Sequence, residues 1–192
     1  MVPRPDTETL LEEALALVRA DPRLRRVLDL GTGSGCLAVT LARNEPGLEI
    51  TGADISPAAG EVFRMNAERL LGRRLPFVCS DLFAEITEPY DLVVTNPPYI
   101  PRGTVATMKQ SGWPEPALAL DGGPDDGTAI PRRIIRQARA RLTPGGWLCM
   151  ELSSEQAEKL LQEMENQGYI NIALSKDLAG RDRVIKGRQP PS

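Results

Sequence analysis

The chain has 192 residues, 41% hydrophobic and 26% charged, which suits one α/β domain with a sizeable core and leaves too little for two. A net charge of −3 and a pI of about 5.2 exclude a general polyanion binder, so a nucleic-acid substrate would need a local basic patch. Histidine is absent, which removes Ser-His and Cys-His nucleophiles, a His base and His-ligated metals together. Cys36, Cys79 and Cys149 lie in apolar stretches without metal-like spacing, so buried free thiols in a reducing, cytosolic compartment are expected. No stretch reaches transmembrane length, and the charged N-terminus is unlike a signal peptide.

The opening Val2-Pro3-Arg4-Pro5 reads as a rigid extended arm, after which Asp6 or Thr7 can cap a helix. That helix carries Leu10, Leu11, Ala14, Leu15, Leu17 and Val18 on one stripe and should end near Asp21-Pro22. Val27-Leu28-Asp29-Leu30 is a short buried strand, Gly31-Thr32-Gly33-Ser34-Gly35 the turn out of it, and Leu37, Val39, Leu41 and Ala42 mark the next helix. Residues 48–53 form a second strand that ends at Asp54. Ser56-Pro57 then starts a helix, since a hydroxyl cap before proline is a strong start signal. Residues 76–79 are a third strand, ending at Ser80-Asp81, and residues 90–94 a fourth, ending at Asn96-Pro97-Pro98-Tyr99.

Residues 101–127 read as a long irregular segment, and such loops are usually functional or disordered. A helix is expected over 130–142, stopped by Thr143-Pro144-Gly145-Gly146, and a fifth strand over 147–152. A further helix over 154–167 has Gly168 as its C-cap, and two last strands cover 169–175 and 183–186. Alternating strands and helices imply a doubly wound, mostly parallel sheet. Residues 1–192 read as one domain, an arm and leading helix over 1–20 and an α/β core over 21–192.

Asp29-x-Gly31-x-Gly33-x-Gly35 sits between strand and helix, the context a nucleotide-type loop needs, although its spacing departs from the dinucleotide fingerprint. Asp54 ends the next strand, where a carboxylate can accept from both ribose hydroxyls, with Ile55 beside it. Asp81 offers an acceptor for an adenine amino group, with Leu82 packing alongside. Either acid alone could be an ordinary cap; both at consecutive strand ends suggest a site. Two prolines fix the backbone after Asn96 and remove two donors, leaving a stiff rim of one amide, bare carbonyls and one aromatic face. A planar NH2 group could donate to the Asn96 side-chain oxygen and the Pro97 carbonyl, under Tyr99. Seen alone, the same string is a Pro-rich turn.

Together these elements resemble the S-adenosylmethionine-dependent methyltransferases, and Asn96-Pro97-Pro98-Tyr99 resembles the motif of those that methylate planar nitrogen. Pro3-Arg4-Pro5-Asp6-Thr7-Glu8, Asn96-Pro97-Pro98-Tyr99-Ile100, Glu115-Pro116-Ala117-Leu118 with Gly122-Gly123, and the run Asp177-Leu178-Ala179-Gly180-Arg181-Asp182-Arg183 are similar to the HemK/PrmC family, the release factor N5-glutamine methyltransferases. The resemblance covers essentially the whole chain. It implies a Rossmann-like class I fold: a mostly parallel seven-stranded sheet, helices on both faces, and an antiparallel C-terminal strand. It implies transfer from S-adenosyl-L-methionine, leaving S-adenosyl-L-homocysteine, to the glutamine amide of the Gly-Gly-Gln motif in class I peptide chain release factors, in the cytoplasm. Asp29, Gly31, Thr32, Gly33, Ser34, Gly35, Asp54, Ile55, Asp81, Leu82 and Asn96 would hold the cofactor; Asn96, Pro97, Pro98 and Tyr99 would serve the chemistry. Neither a metal nor a membrane is expected.

The chain departs from the family pattern at Leu152-Ser153-Ser154 and in a longer turn at Pro124-Asp125-Asp126. Family members also carry an N-terminal helical domain ahead of the arm; its absence from this chain implies weaker capture of an intact release factor, expressed as a raised KM. The runner-up activity is methylation of adenine N6 or guanine N2 in nucleic acid, and a third reading is a non-catalytic cofactor-binding scaffold. Arg132, Arg133, Arg136 and Arg139 read as the solvated face of a helix, not a nucleic-acid groove, and Trp113 and Trp147 as packing residues.

Overall fold

A computed structural model describes residues 6–191, so the expected arm over 2–5 lies outside the described residues. Helix α1 (Asp6–Ala20) leads into β1 (Arg26–Leu30), α2 (Cys36–Asn44), β2 (Glu49–Asp54), α3 (Pro57–Leu71), β3 (Phe77–Cys79) and β4 (Tyr90–Thr95). There follow β5 (Ile100–Pro101), α4 (Arg102–Gln110), β6 (Asp121–Gly123), α5 (Ala129–Ala138), β7 (Leu142–Glu151), α6 (Ala157–Asn166), β8 (Ile170–Lys176) and β9 (Asp182–Arg188). The main sheet has seven strands in the order β3-β2-β1-β4-β7-β9-β8. The first five run parallel, and β9 inserts antiparallel between β7 and β8. This is the expected architecture.

Period-2 alternation divides the core between the two faces of the sheet. Val27, Ile50, Leu92, Val94, Cys149 and Val184 pack under α1, α2 and α3. Their neighbours Leu28, Ala53, Val93, Leu148, Met150 and Ile185 pack under α5 and α6. Phe63 of α3 is fully buried, and burying such a side chain contributes about 1.5–3 kcal/mol. Helix α3 shows how local signals set an element. The Ser56 hydroxyl accepts from the Ala59 N–H at 3.3 Å, Pro57 occupies the first turn, and Gly72 ends the helix in left-handed geometry.

Two segments differ from expectation. Helix α5 stops at Ala138, and Thr143-Pro144-Gly145-Gly146 belongs to β7 instead of separating a helix from a strand. The register of β4 against β7 jumps from Tyr90↔Leu142 to Leu92↔Trp147. That bulge is where a sheet accommodates proline and glycine, and backbone bonds of Gly145 and Gly146 with Gln189 fasten it. The segment expected to be irregular contains α4, a single turn of 3-10 helix (Ala117–Ala119) and a two-stranded sheet of β5 and β6. Its sequence signal is weak because Gly103 and Thr104 are poor helix formers and only Val105 of α4 is buried.

Three side chains also differ. Cys36 and Cys79 are exposed, at the start of α2 and at the end of edge strand β3; Cys149 alone of the three is buried, and burial pushes its thiol far up. Trp113 is 43% exposed and not a packing residue, whereas Trp147 packs partly buried against the core with the Arg188 guanidinium 5.8 Å from its ring.

Candidate functional site

Strand register brings the expected site residues to one edge. Leu30 at the end of β1 stands opposite Ala53 of β2 and Thr95 of β4, and Asp54 opposite Cys79 of β3. The glycine loop, Asp54, Asp81 and Asn96 therefore all leave the carboxyl edge of the parallel strands, where open α/β sheets bind ligands. The Thr95 hydroxyl donates to the Leu30 carbonyl at 2.8 Å, joining the two central strand ends.

The loop is fastened from below. Gly31 and Thr32 N–H groups both donate to the Ala53 carbonyl, at 2.8 and 2.9 Å. Asp29, only 2% exposed, accepts from the Thr32 hydroxyl at 2.6 Å and from the Ala38 N–H in the first turn of α2 at 3.1 Å. Burial still outweighs these bonds and pushes its carboxyl up to about 6. Gly31, Gly33 and Gly35 all have positive φ. A Cβ on Gly35 would strike the Phe63 ring at 2.5 Å, whereas one on Gly31 or Gly33 would meet nothing within 4 Å. The loop is closed on its core side and open above.

Half-buried Asp54 accepts from the Gly33 N–H through Oδ2 and from the Ser56 N–H through Oδ1, each at 2.9 Å. A carboxylate has about four acceptor positions, so Asp54 retains capacity for the hydroxyls of a bound ribose. Asn66 donates to the Ser34 carbonyl at 2.9 Å and steadies the loop from α3. Ile55 is 46% exposed beside Asp54. Asp81 is exposed and meets Arg133 only at 3.4 Å. Leu82, half-buried, has φ +50, an uncommon value for leucine. The Ser80 hydroxyl holds this turn, donating to the Leu82 carbonyl at 2.8 Å and accepting from the Glu85 N–H at 3.0 Å. These features fit an adenosyl group: an open glycine loop, an acid with spare acceptors, and an apolar surface next to a second acid.

Residues Asn96 to Ile100 form one wall of a small pocket, and Glu115, Ala119 and Leu120 form the other. Asn96 is half-buried and Pro97 buried. Sequence reasoning missed what lies behind Tyr99. Its hydroxyl donates to Glu151 Oε1 at 3.1 Å, and its carbonyl accepts from Gln156 Nε2 at 2.8 Å. The glycine turn is pressed against it, because a Cβ on Gly122 would lie 2.6 Å from the Tyr99 Cα and one on Gly127 would lie 2.2 Å from its carbonyl oxygen. Two signals pointed there: a carboxylate ending an apolar strand, and a Ser153-x-x-Gln156 capping box, which the structure forms.

The quoted run over residues 177–183 has a structural role here. Asp177 accepts from the Ala179 and Arg181 N–H groups and from the Arg181 and Arg183 guanidinium groups, which lower its carboxyl to about 2 and tie the β8–β9 turn. In the basic row of α5 and its C-cap, Arg136 pairs with Glu163 at 2.8 Å and Arg139 donates to the Gly168 carbonyl at 2.7 Å. Among the described residues no group of three or more His, Cys, Asp and Glu is placed to hold a metal, and no helix is long and apolar enough to cross a membrane.

Comparison with known proteins adds to this geometry. Residues 7–110 match the family model described as the methyltransferase small domain. The chain is 40% identical over 190 residues to a release factor glutamine methyltransferase of Geobacter sulfurreducens, covering 98% of this chain and 65% of that one. It is 39% identical to the same-named protein of Koribacter versatilis, covering 100% and 68%. A solved structure of the release factor-specific protein-(glutamine-N5) methyltransferase from Alicyclobacillus acidocaldarius superposes with a TM-score of 0.54 at 30% identity, covering 99% and 95%. The chain thus spans about two thirds of the length of the curated relatives it matches.

Proposed function

Because this chain belongs to the family of the release factor glutamine methyltransferases, we propose that it methylates the side-chain amide nitrogen of the glutamine in the Gly-Gly-Gln motif of class I peptide chain release factors. The methyl donor is S-adenosyl-L-methionine and the product S-adenosyl-L-homocysteine. One observation carries the reading: the open glycine loop and the Asn96-Pro97-Pro98-Tyr99 rim leave neighbouring strands at matched positions, Leu30 beside Thr95. Donor and acceptor sites are therefore adjacent. The whole chain acts as one catalytic domain, in the cytoplasm with its substrate.

On this reading Gly31, Thr32, Gly33, Ser34 and Gly35 receive the cofactor in a loop that Asp29 supports from below. Asp54 accepts from the ribose hydroxyls, Ile55 and Leu82 flank the base, and Asp81 accepts from its amino group. The cofactor supplies a methyl group on a cationic sulfur, activated enough for a weak nucleophile. An amide nitrogen is weak because its lone pair is delocalised into the carbonyl, so orientation must contribute much of the rate. The Asn96 side-chain oxygen and the Pro97 carbonyl accept both amide hydrogens and aim the nitrogen. Their dipoles also favour the positive charge that grows on nitrogen during transfer. Tyr99 covers the amide plane and excludes water. Nitrogen would gain the methyl as the donor's C–S bond breaks, and the surplus proton, held by the Asn96 oxygen or the Pro97 carbonyl during transfer, would pass to bulk water as the product leaves. No titrating base is needed, in keeping with a sequence without histidine.

The test is transfer of labelled methyl from S-adenosyl-L-methionine to a purified release factor, to the same protein with the motif glutamine replaced by alanine, and to duplex DNA. Label only on the first supports the reading. Label on DNA would replace it with a nucleic-acid methyltransferase, and label on none with a binding module.

A further inference from the structure

Glu151 is fully buried at the end of β7, and Gln156 is 3% exposed in the turn before α6. A buried carboxylate costs several kcal/mol unless its bonds repay the loss of water. An apolar side chain could fill either position as part of the core. Both hold one residue of the rim, and Gln156 Oε1 also accepts from the Ser153 N–H at 3.4 Å. Glu151 Oε1 accepts from the Tyr99 hydroxyl at 3.1 Å, fixing the outer end of the ring. Gln156 Nε2 donates to the Tyr99 carbonyl at 2.8 Å and to the Asp126 carbonyl at 2.7 Å, bridging the rim and the glycine turn behind it. That turn is itself tied down: Asp126 accepts from the Thr128 hydroxyl at 2.6 Å and from Lys159 of α6 at 2.7 Å.

We propose that Glu151 and Gln156 are positioning residues for the methyl transfer, clamping Tyr99 at its hydroxyl and its carbonyl so that the Asn96-Pro97 acceptors stand at a fixed height beside the cofactor loop. The inference rests on the function proposed above. Neither residue touches substrate; each acts through Tyr99. The clamp answers a geometric need, because a rim that aims a poor nucleophile loses on the order of a hundredfold in rate for about 1 Å of misplacement. It also gives the longer turn at residues 124–126 a task, since the Asp126 carbonyl is one of the two points that the Gln156 amide joins.

Gln156→Met removes both donors at similar volume, together with the oxygen that accepts from the Ser153 N–H, and Glu151→Leu removes the acceptor. Each should lower kcat on a release factor about ten- to hundredfold. KM for the release factor and cofactor affinity by calorimetry should stay within about threefold. Glu151→Gln keeps an oxygen for the Tyr99 hydroxyl and should retain most of kcat. In a cycle of Tyr99→Phe with Glu151→Leu, the double variant should lose little more than either single one. Unchanged kcat in Gln156→Met, or fully additive losses in the cycle, would overturn the clamp. A readout without turnover separates this failure from that of the functional reading. With ring-labelled tyrosine, the Tyr99 resonance should shift or broaden in Gln156→Met and not in Lys176→Ala, a remote control. If the wild type methylates no release factor but the resonance moves, the function is wrong and the clamp stands. If the resonance stays fixed, the clamp fails whatever the activity.

Discussion

The glycine loop and the Asn-Pro-Pro-Tyr rim lie side by side at one edge of the sheet, yet they are fastened over very different stretches of chain. Bonds that shape the loop span shorter separations: Thr32 to Asp29 over 3 residues, Ala38 to Asp29 over 9, Gly33 to Asp54 over 21 and Asn66 to Ser34 over 32. Tyr99 is held by Glu151 over 52 residues and by Gln156 over 57. The loop can therefore form with its own β1–α2–β2–α3 unit. The rim is complete only when β7 and the start of α6 have docked, so its geometry reports on the whole fold. Closing such long loops costs more chain entropy than closing short ones, though the cost grows only slowly with length.

If the loop is a self-fastened unit, changes there should act on stability and cofactor affinity and spare the transfer step. The largest expected effect is on stability. The Asp29 carboxyl ionises near 3.8 when unfolded and about 6 when folded. Between those values the folded protein keeps a proton that the unfolded chain has released, so this group's contribution falls as pH rises from about 4 to about 6. Relative to Asp29→Asn, wild type should lose on the order of 3 kcal/mol across that window and nothing further above it. Denaturant titrations at a series of pH values would show this, and a flat difference would mean that Asp29 is ionised normally.

On the rim, Asn96→Ala should lower kcat about a hundredfold while leaving cofactor affinity nearly intact, because its proposed partner is the substrate amide. Steady-state kinetics paired with calorimetry tests the split. The reverse is expected at Asp54→Ala, where lost bonds to a charged acceptor are worth about 1.5–3 kcal/mol each. Cofactor affinity should fall about tenfold or more, with a lowered thermal midpoint because the Gly33 and Ser56 N–H groups lose their acceptor. Unchanged affinity would remove Asp54 from the site. The smallest effect belongs to Arg133→Ala. Its pair with Asp81 is long and exposed, so stability should change by less than about 1 kcal/mol and cofactor affinity should not fall. A large loss in either would make Arg133 part of the site.

What was legible in the sequence follows the same division. The loop, Asp54 and the start of α3 are encoded within a few residues of one another, as Ser56-Pro57 and Gly72 illustrate. Sequence periodicity reaches that far. It did not reach the bulge in β7, where proline and glycine resemble a terminator and only pairing with β4 and Gln189 makes them strand. Nor did it reach the supports of Tyr99, since no local rule links residue 99 to residues 151 and 156. Cys36 and Cys79 were misjudged for a related reason: thiol burial depends on whether a neighbour covers a helix start or a sheet edge, which apolar flanks do not decide.

On the proposed function the methyl group reaches the side-chain amide nitrogen of glutamine. The decisive measurement is to incubate the chain with a release factor and S-adenosyl-L-methionine carrying a labelled methyl, then sequence the product peptides by mass spectrometry. One added methyl is expected on the Gly-Gly-Gln glutamine, recovered as labelled methylamine after acid hydrolysis of the amide. Label recovered on any other residue, or in a form that acid hydrolysis does not release as methylamine, would contradict it.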